Sequence, residues 1–281
     1  LTSPEPLKRV VPLDLFPTQL IESSIVQKTY SADMPGEFGG GIIEINTKAV
    51  PSERILDLSF SSGFNSETSL SDGLLYDGGD DDDLGYDDGT RDFPSFVQRA
   101  INGNQKLDRS NFKTYQLANA GREFVNSELW VIQEGDVPLD NSVSFTYGDE
   151  LDIDIERLLD DESATVGVLL TAGVKSSWET QEGIRQTGDI QAQGDGTSIV
   201  IRGNDKTFKS TSNNVTSYLM AVAGIETDSA ELKYTGMYIH KGTKEARTLQ
   251  GYDTSDSGDV REDFTEFFER ELTNNQINYS F

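Results

Sequence analysis

The sequence predicts a mainly β chain: a small mixed α/β portion, then about six long antiparallel transmembrane strands of the barrel type. Three observations carry that expectation. Several segments alternate apolar and small polar residues with a two-residue period over about ten positions or more. They are separated in turn by long polar stretches and by shorter connections, as in barrels with long loops at one end only. Mean hydropathy is −0.49, and no run approaches the roughly 18 apolar residues of a membrane helix, a measure that alternating barrel strands barely raise.

In chain order, residues 1–20 hold Pro4, Pro6, Pro12 and Pro17, which favour extended or turn geometry and leave room for one helical turn over 15–20. A strand is expected over 21–29, with Ile25 and Val26 at its centre, then a turn over 30–37. Gly39, Gly40 and Gly41 give the backbone access to positive φ and close approach. They lead into a strand over 42–48 with Ile43, Ile45 and Thr47 on one face. That strand is expected to pair with 21–28 in a small sheet apart from the long strands. Pro51 and Ser52 mark a boundary, dividing the chain into 1–52 and 53–281.

Beyond it, 55–65 places Leu56, Leu58, Phe60 and Phe64 on one face. The stretch 72–92 holds nine Asp and one Arg and reads as a solvated loop, because unpaired buried carboxylates are costly. A short helix is expected over 93–101 and one further helix within 102–135. Strands follow over 139–148 and 165–178, the second with Val166, Val168, Leu170, Ala172 and Val174 on one face. Residues 183–214 read as polar loop with a hairpin near Gly203 and Asn204. Strands over 215–226 and 231–248 flank Thr227, Asp228 and Ser229. A loop over 251–263 precedes a last strand over 264–281, broken near Asn274.

Forty-nine acidic against 23 basic residues give a net charge of −26, which repels nucleic acid. Cysteine is absent and His240 is the only histidine, so neither a thiolate metal site nor a His-based triad can be assembled. With no nucleophile elbow or phosphate loop either, the sequence does not read as an enzyme or as a cofactor binder. The candidate metal ligands are Asp80, Asp81, Asp82, Asp83, Asp87 and Asp88, a carboxylate set suited to calcium but lacking EF-hand spacing.

One ordered set of motifs resembles a known family. Residues Val11-Pro12-Leu13-Asp14-Leu15-Phe16-Pro17, the strand Ile21 to Thr29, and Met34-Pro35-Gly36-Glu37-Phe38-Gly39-Gly40-Gly41-Ile42-Ile43-Glu44-Ile45-Asn46-Thr47-Lys48 resemble the C-terminal part of the plug of TonB-dependent outer-membrane receptors. Leu75-Tyr76-Asp77-Gly78-Gly79 and Leu84 to Pro94 resemble the first outer loop of one branch, and Arg270-Glu271-Leu272 a later strand. The resemblance implies a barrel of about 22 strands closed by a plug, with Gly39, Gly40 and Gly41 at the plug–barrel hinge. It also implies import of a scarce large nutrient such as an oligosaccharide or siderophore. The partners it implies are the TonB complex through an N-terminal segment missing here, outer-membrane lipid, and surface lipoproteins. The 281 residues then correspond to the end of the plug plus about six wall strands. Ligand contact is expected from 72–92, 181–214 and 251–263, and the location is the cell outer membrane. The alternative is a secreted or surface-exposed β-rich protein binding calcium and glycans.

Overall fold

A computed structural model describes residues 21–30, 41–47, 51, 53–125, 130–154, 163–192, 198–254 and 258–281. Strand β1 (Ile21–Gln27) pairs antiparallel with β2 (Ile42–Thr47) in a separate two-stranded sheet, with Val26 opposite Ile43. The expected pairing is therefore present. Among the described residues a Cβ on Gly41 would meet Gln27 O at 3.6 Å, an ordinary contact. Gly39 and Gly40 lie outside the described residues.

The main body is a six-stranded antiparallel sheet. Its strands are β3 (Ile55–Gly63), β6 (Asp140–Asp154), β7 (Ser163–Ala192), β8 (Ser198–Thr227), β9 (Glu231–Asp253) and β10 (Gly258–Ser280). Each pairs with its sequence neighbour, and β3 and β10 are the edges. Between β3 and β6 the chain makes an excursion containing β4 (Asp72–Leu75), α1 (Ser95–Asn102), α2 (Thr114–Val125) and β5 (Gln133–Asp136), with β4 and β5 paired. Among the described residues no helix is long and apolar enough to cross a membrane.

Four sequence expectations give way here. Residues 183–192 and 198–214 are strand rather than loop: β7 and β8 run 30 residues each, about 100 Å at ~3.3 Å per residue. Over these segments the sequence sets no sustained two-residue apolar period, and only 205–214 of β8 is paired on both sides, by β7 and β9. Gly203 marks no hairpin; it sits beside the bulge between Gln186 and Gly188, where a Cβ would fall 2.9 Å from Thr187 O. Likewise β9 reaches Asp253 and β10 starts at Gly258, which removes most of the loop expected over 251–263. Asn274 stays in register with Met237, so the last strand has no break.

The sheet's lower end carries the tight turn after β8, where Thr227 N donates to Ala230 O at 2.8 Å. From there upward, alternate residues divide between two faces. The apolar face exposes Leu58 and Phe60 of β3, Phe145 of β6, Leu170 of β7, Leu219 of β8, Tyr234 of β9 and Ile277 of β10. The polar face holds hydroxyls, charges and a small cluster of Leu169, Met220 and Val222. Leu170 is 39% exposed and its neighbour Leu169 only 4%, because Met220, Val222 and Ile55 pack over Leu169. The chain enters from the polar side. Ile55 packs on the Leu169 cluster, and a Cβ on Gly148 would lie 3.4 Å from the ring of Pro51.

Candidate functional site

Strands β3 and β6 stop at mid-height, while β7 to β10 continue upward. The excursion uses the space above. Residues 64–92 form a strap that lies on the apolar face over the middle rows of β7 to β10, from His240 up to Thr180, Thr211 and Ala246. It starts at the exposed edge of β7, where Trp178 N donates to Asp140 Oδ1 at 2.7 Å and Thr180 N to Thr68 Oγ1 at 3.0 Å. These bonds satisfy amides that β6 no longer reaches. Next, Leu74 N donates to Thr211 Oγ1 of β8 at 2.9 Å, and Leu74 and Tyr76 bury themselves against Ala246 of β9. The strap reaches β10 where Tyr76 Oη donates to Glu266 O at 2.9 Å and Asp87 N to Glu269 Oε2 at 3.1 Å.

The acidic run is therefore not a freely solvated loop. Asp82, in a single 3-10 turn over Asp82–Leu84, is 3% exposed. Its Oδ2 pairs with Arg91 Nη2 and, at 2.9 Å, with Lys244 Nζ. Arg91 also bonds Asp87 Oδ1 at 3.1 Å, and its guanidinium lies 4.1 Å over the Phe267 ring. Lys244 donates to Asp77 O at 2.7 Å and faces the Tyr76 ring. Two cations around one carboxylate make burial tolerable, where an isolated Asp would have been expelled. Burial opposes the Arg91 charge, but hydrogen bonds and attraction from Asp82 and Asp87 outweigh it and raise its pKa. Burial also pushes the Tyr76 phenol up to about 12, with Arg91 partly opposing. The turn needs Gly78, at φ 71°, because a Cβ there would fall 2.0 Å from Asp82 Oδ2.

A second contact lies one turn further on. Gly85 and Gly242 touch through their backbones: a Cβ on Gly242 would sit 2.3 Å from Gly85 O. Beside them, His240 stacks on Tyr86 with ring centroids 3.8 Å apart and its Nε2 lies 2.8 Å from Gly85 O. A carbonyl only accepts, so Nε2 carries the proton. His240 Nδ1 is buried without a partner, and Glu269 Oε2 lies 3.6 Å from Nε2.

Of the six sequence-predicted metal ligands, Asp80, Asp81, Asp83, Asp87 and Asp88 are exposed and Asp82 is buried. Asp88 accepts from Thr90 N at 2.9 Å and Asp80 N at 2.8 Å, and the Thr90 bonds, with that from Asp80, hold its carboxyl down to about 2. Among the described residues no three acidic or imidazole groups converge as a metal site would require. Sequence reasoning missed Arg91, Lys244, Tyr76 and His240. The only signal was a single Arg among nine Asp, because Lys244 and His240 lie more than 150 positions away along the chain.

The molecule is a mainly β protein whose acidic excursion is clamped to one face of a long-stranded antiparallel sheet. Comparison with models of known protein families, with curated proteins and with solved structures finds no match.

Proposed function

We propose that this chain is part of a TonB-dependent outer-membrane receptor that imports a scarce large nutrient: the end of its plug, then about six wall strands. The observation that carries this reading is the uncovered apolar band on the lower half of one sheet face. On β7 the band's apolar positions run from Val166 to Val174, about 27 Å of strand at ~3.3 Å per residue. Tilted, that length matches the ~25 Å apolar belt of an outer-membrane barrel. A face of this kind needs lipid or another apolar partner.

Two further features support the reading. The opposite face carries hydroxyls and charges, as the wall of a water-filled lumen does. The chain from the small β1–β2 sheet arrives on that face through Pro51 and Ile55, where a plug would sit. The strap, in contrast, lies on the outward face above the band. In this arrangement ligand contact falls to the polar face rather than to 72–92.

Fractionation of the full-length product tests the proposal. It should remain with outer membranes, need detergent for release, and migrate differently in gels before and after heating. Recovery as a monodisperse, detergent-free protein would overturn it and favour a secreted binding protein.

A further inference from the structure

On the polar face one ladder row crosses all six strands: Ser61, Ser142, Lys175, Thr216, Lys241 and Arg270 stand directly opposite one another in turn. Three of the chain's 23 bases thus share one row in a protein where acids outnumber bases twofold. Lys241 and Arg270 face each other directly, about 5 Å apart as neighbouring strands are. Lys175 stands two strands from Lys241, about 10 Å away by the same spacing. Like charges directly opposed destabilise a sheet unless other groups hold them.

The flanking rows complete a surface. Below run Tyr218, Ile239 and Leu272, which pack together with Met237. Above run Ser177, Asn214, Thr243 and Phe268, where Thr243 Oγ1 donates to Asn214 Oδ1 at 2.9 Å. Arg270 lies 5.6 Å over the Phe268 ring, which orients its guanidinium.

We propose that this row binds a solute carrying several negative charges, such as carboxylates or phosphate or sulfate esters, spaced across about three strands. The inference deepens the receptor reading and rests on it for placing the row inside a wall. Each of the three cations also keeps a protein contact, which an incoming anion joins or replaces. The net charge of −26 does not forbid this. Exposed charges more than about 8–10 Å away are largely screened at physiological salt, whereas the row's cations touch the ligand. Hydroxyls of Ser142 and Thr216 lie in the same row to donate to its oxygens.

Titration calorimetry of the detergent-solubilised full chain at low salt tests this, with inorganic tripolyphosphate as one probe and tricarballylate as the other. Saturable binding of at least one probe is expected, and the two arms separate phosphate from carboxylate preference. The Lys241→Gln/Arg270→Gln variant should bind at least tenfold more weakly while the protein remains folded, as read by its unfolding transition. Lys209→Gln, on the opposite face, should bind as the parent does. The swap Lys241→Arg/Arg270→Lys should retain binding and guards against a fold defect in the double Gln variant. Absence of saturable binding for both probes, or equal affinity in parent and double Gln variant, overturns the inference. If that happens while the protein still needs detergent, the receptor reading survives and only the anion row falls.

Discussion

Two parts of one sheet face, the rows under the strap and the band below them, meet opposite fates. Above, the strap covers the face with Leu74, Tyr76 and a charge cluster around Asp82. Below, Leu58, Phe60, Leu170 and Leu219 stand uncovered. The rows under the strap are thus covered by the chain itself, and the band below them is left exposed among the described residues. A water-exposed face of ordinary kind would carry charges in both parts. The boundary lies where β3 and β6 end, so a change in strand length also divides two environments.

The largest effect is expected from breaking the cover. Asp82→Ala leaves Arg91 and Lys244 without their shared buried carboxylate, and loss of one partner of a buried pair costs about 3–5 kcal/mol. Amide exchange in residues 72–92 should accelerate while the lower sheet stays protected; uniform acceleration would mean the strap and sheet are one cooperative unit. Next, Leu170→Arg puts a charge in the uncovered band. In lipid this costs about 2–4 kcal/mol of folding free energy near the bilayer centre, measurable by denaturant titration in vesicles. In water the same exposed substitution stays within about 0.5 kcal/mol, so this one variant decides between the two environments.

A smaller effect, about 1–3 kcal/mol of overpacking, is expected for Gly242→Ala. The new Cβ meets Gly85 O at 2.3 Å, and the strap must lift locally. Protection in 84–87 should fall without loss at Leu74; unchanged exchange would show that the backbone contact is dispensable. The smallest effect is electrostatic. Asp88 has its carboxyl lowered from 3.8 to about 2 in the folded strap, so its contribution is present above pH ~3.8 and is lost as pH falls toward ~2. Proteolysis of the strap should rise through that window in the parent and less steeply in Asp88→Asn; identical profiles would remove Asp88 from the account.

How much of this was legible follows from where the signals sit. The β1–β2 pair, α1 and the lower halves of β3, β6, β7 and β8 each announce themselves through local residues: Ile43, the Phe93-Pro94-Ser95 start, and the Val166 to Val174 stripe. The upper parts of β7 and β8 were hidden because Thr207, Ser210 and Ser212 offer no apolar face and Gly203 imitates a turn, whereas β9 as far as Thr248 and β10 from Phe264 are expected as strand from the sequence. The strap was hidden for another reason. Whether Asp82 is exposed depends on Lys244, and nothing near Asp82 in sequence reveals that partner. The polar row of Lys175, Lys241 and Arg270 is invisible without register, since its members come from three distant strands.

The distances along the chain between strap and sheet also set an order of assembly. Successive hairpins from β6 to β10 pair neighbours, whereas Leu74 bonds a residue 137 positions later and Tyr76 one 190 positions later. Closing loops of that length before the hairpins exist gains nothing to offset the lost chain entropy. The strap is therefore expected to dock last, when β10 is already in place, so that its protection from exchange would time the completion of the sheet.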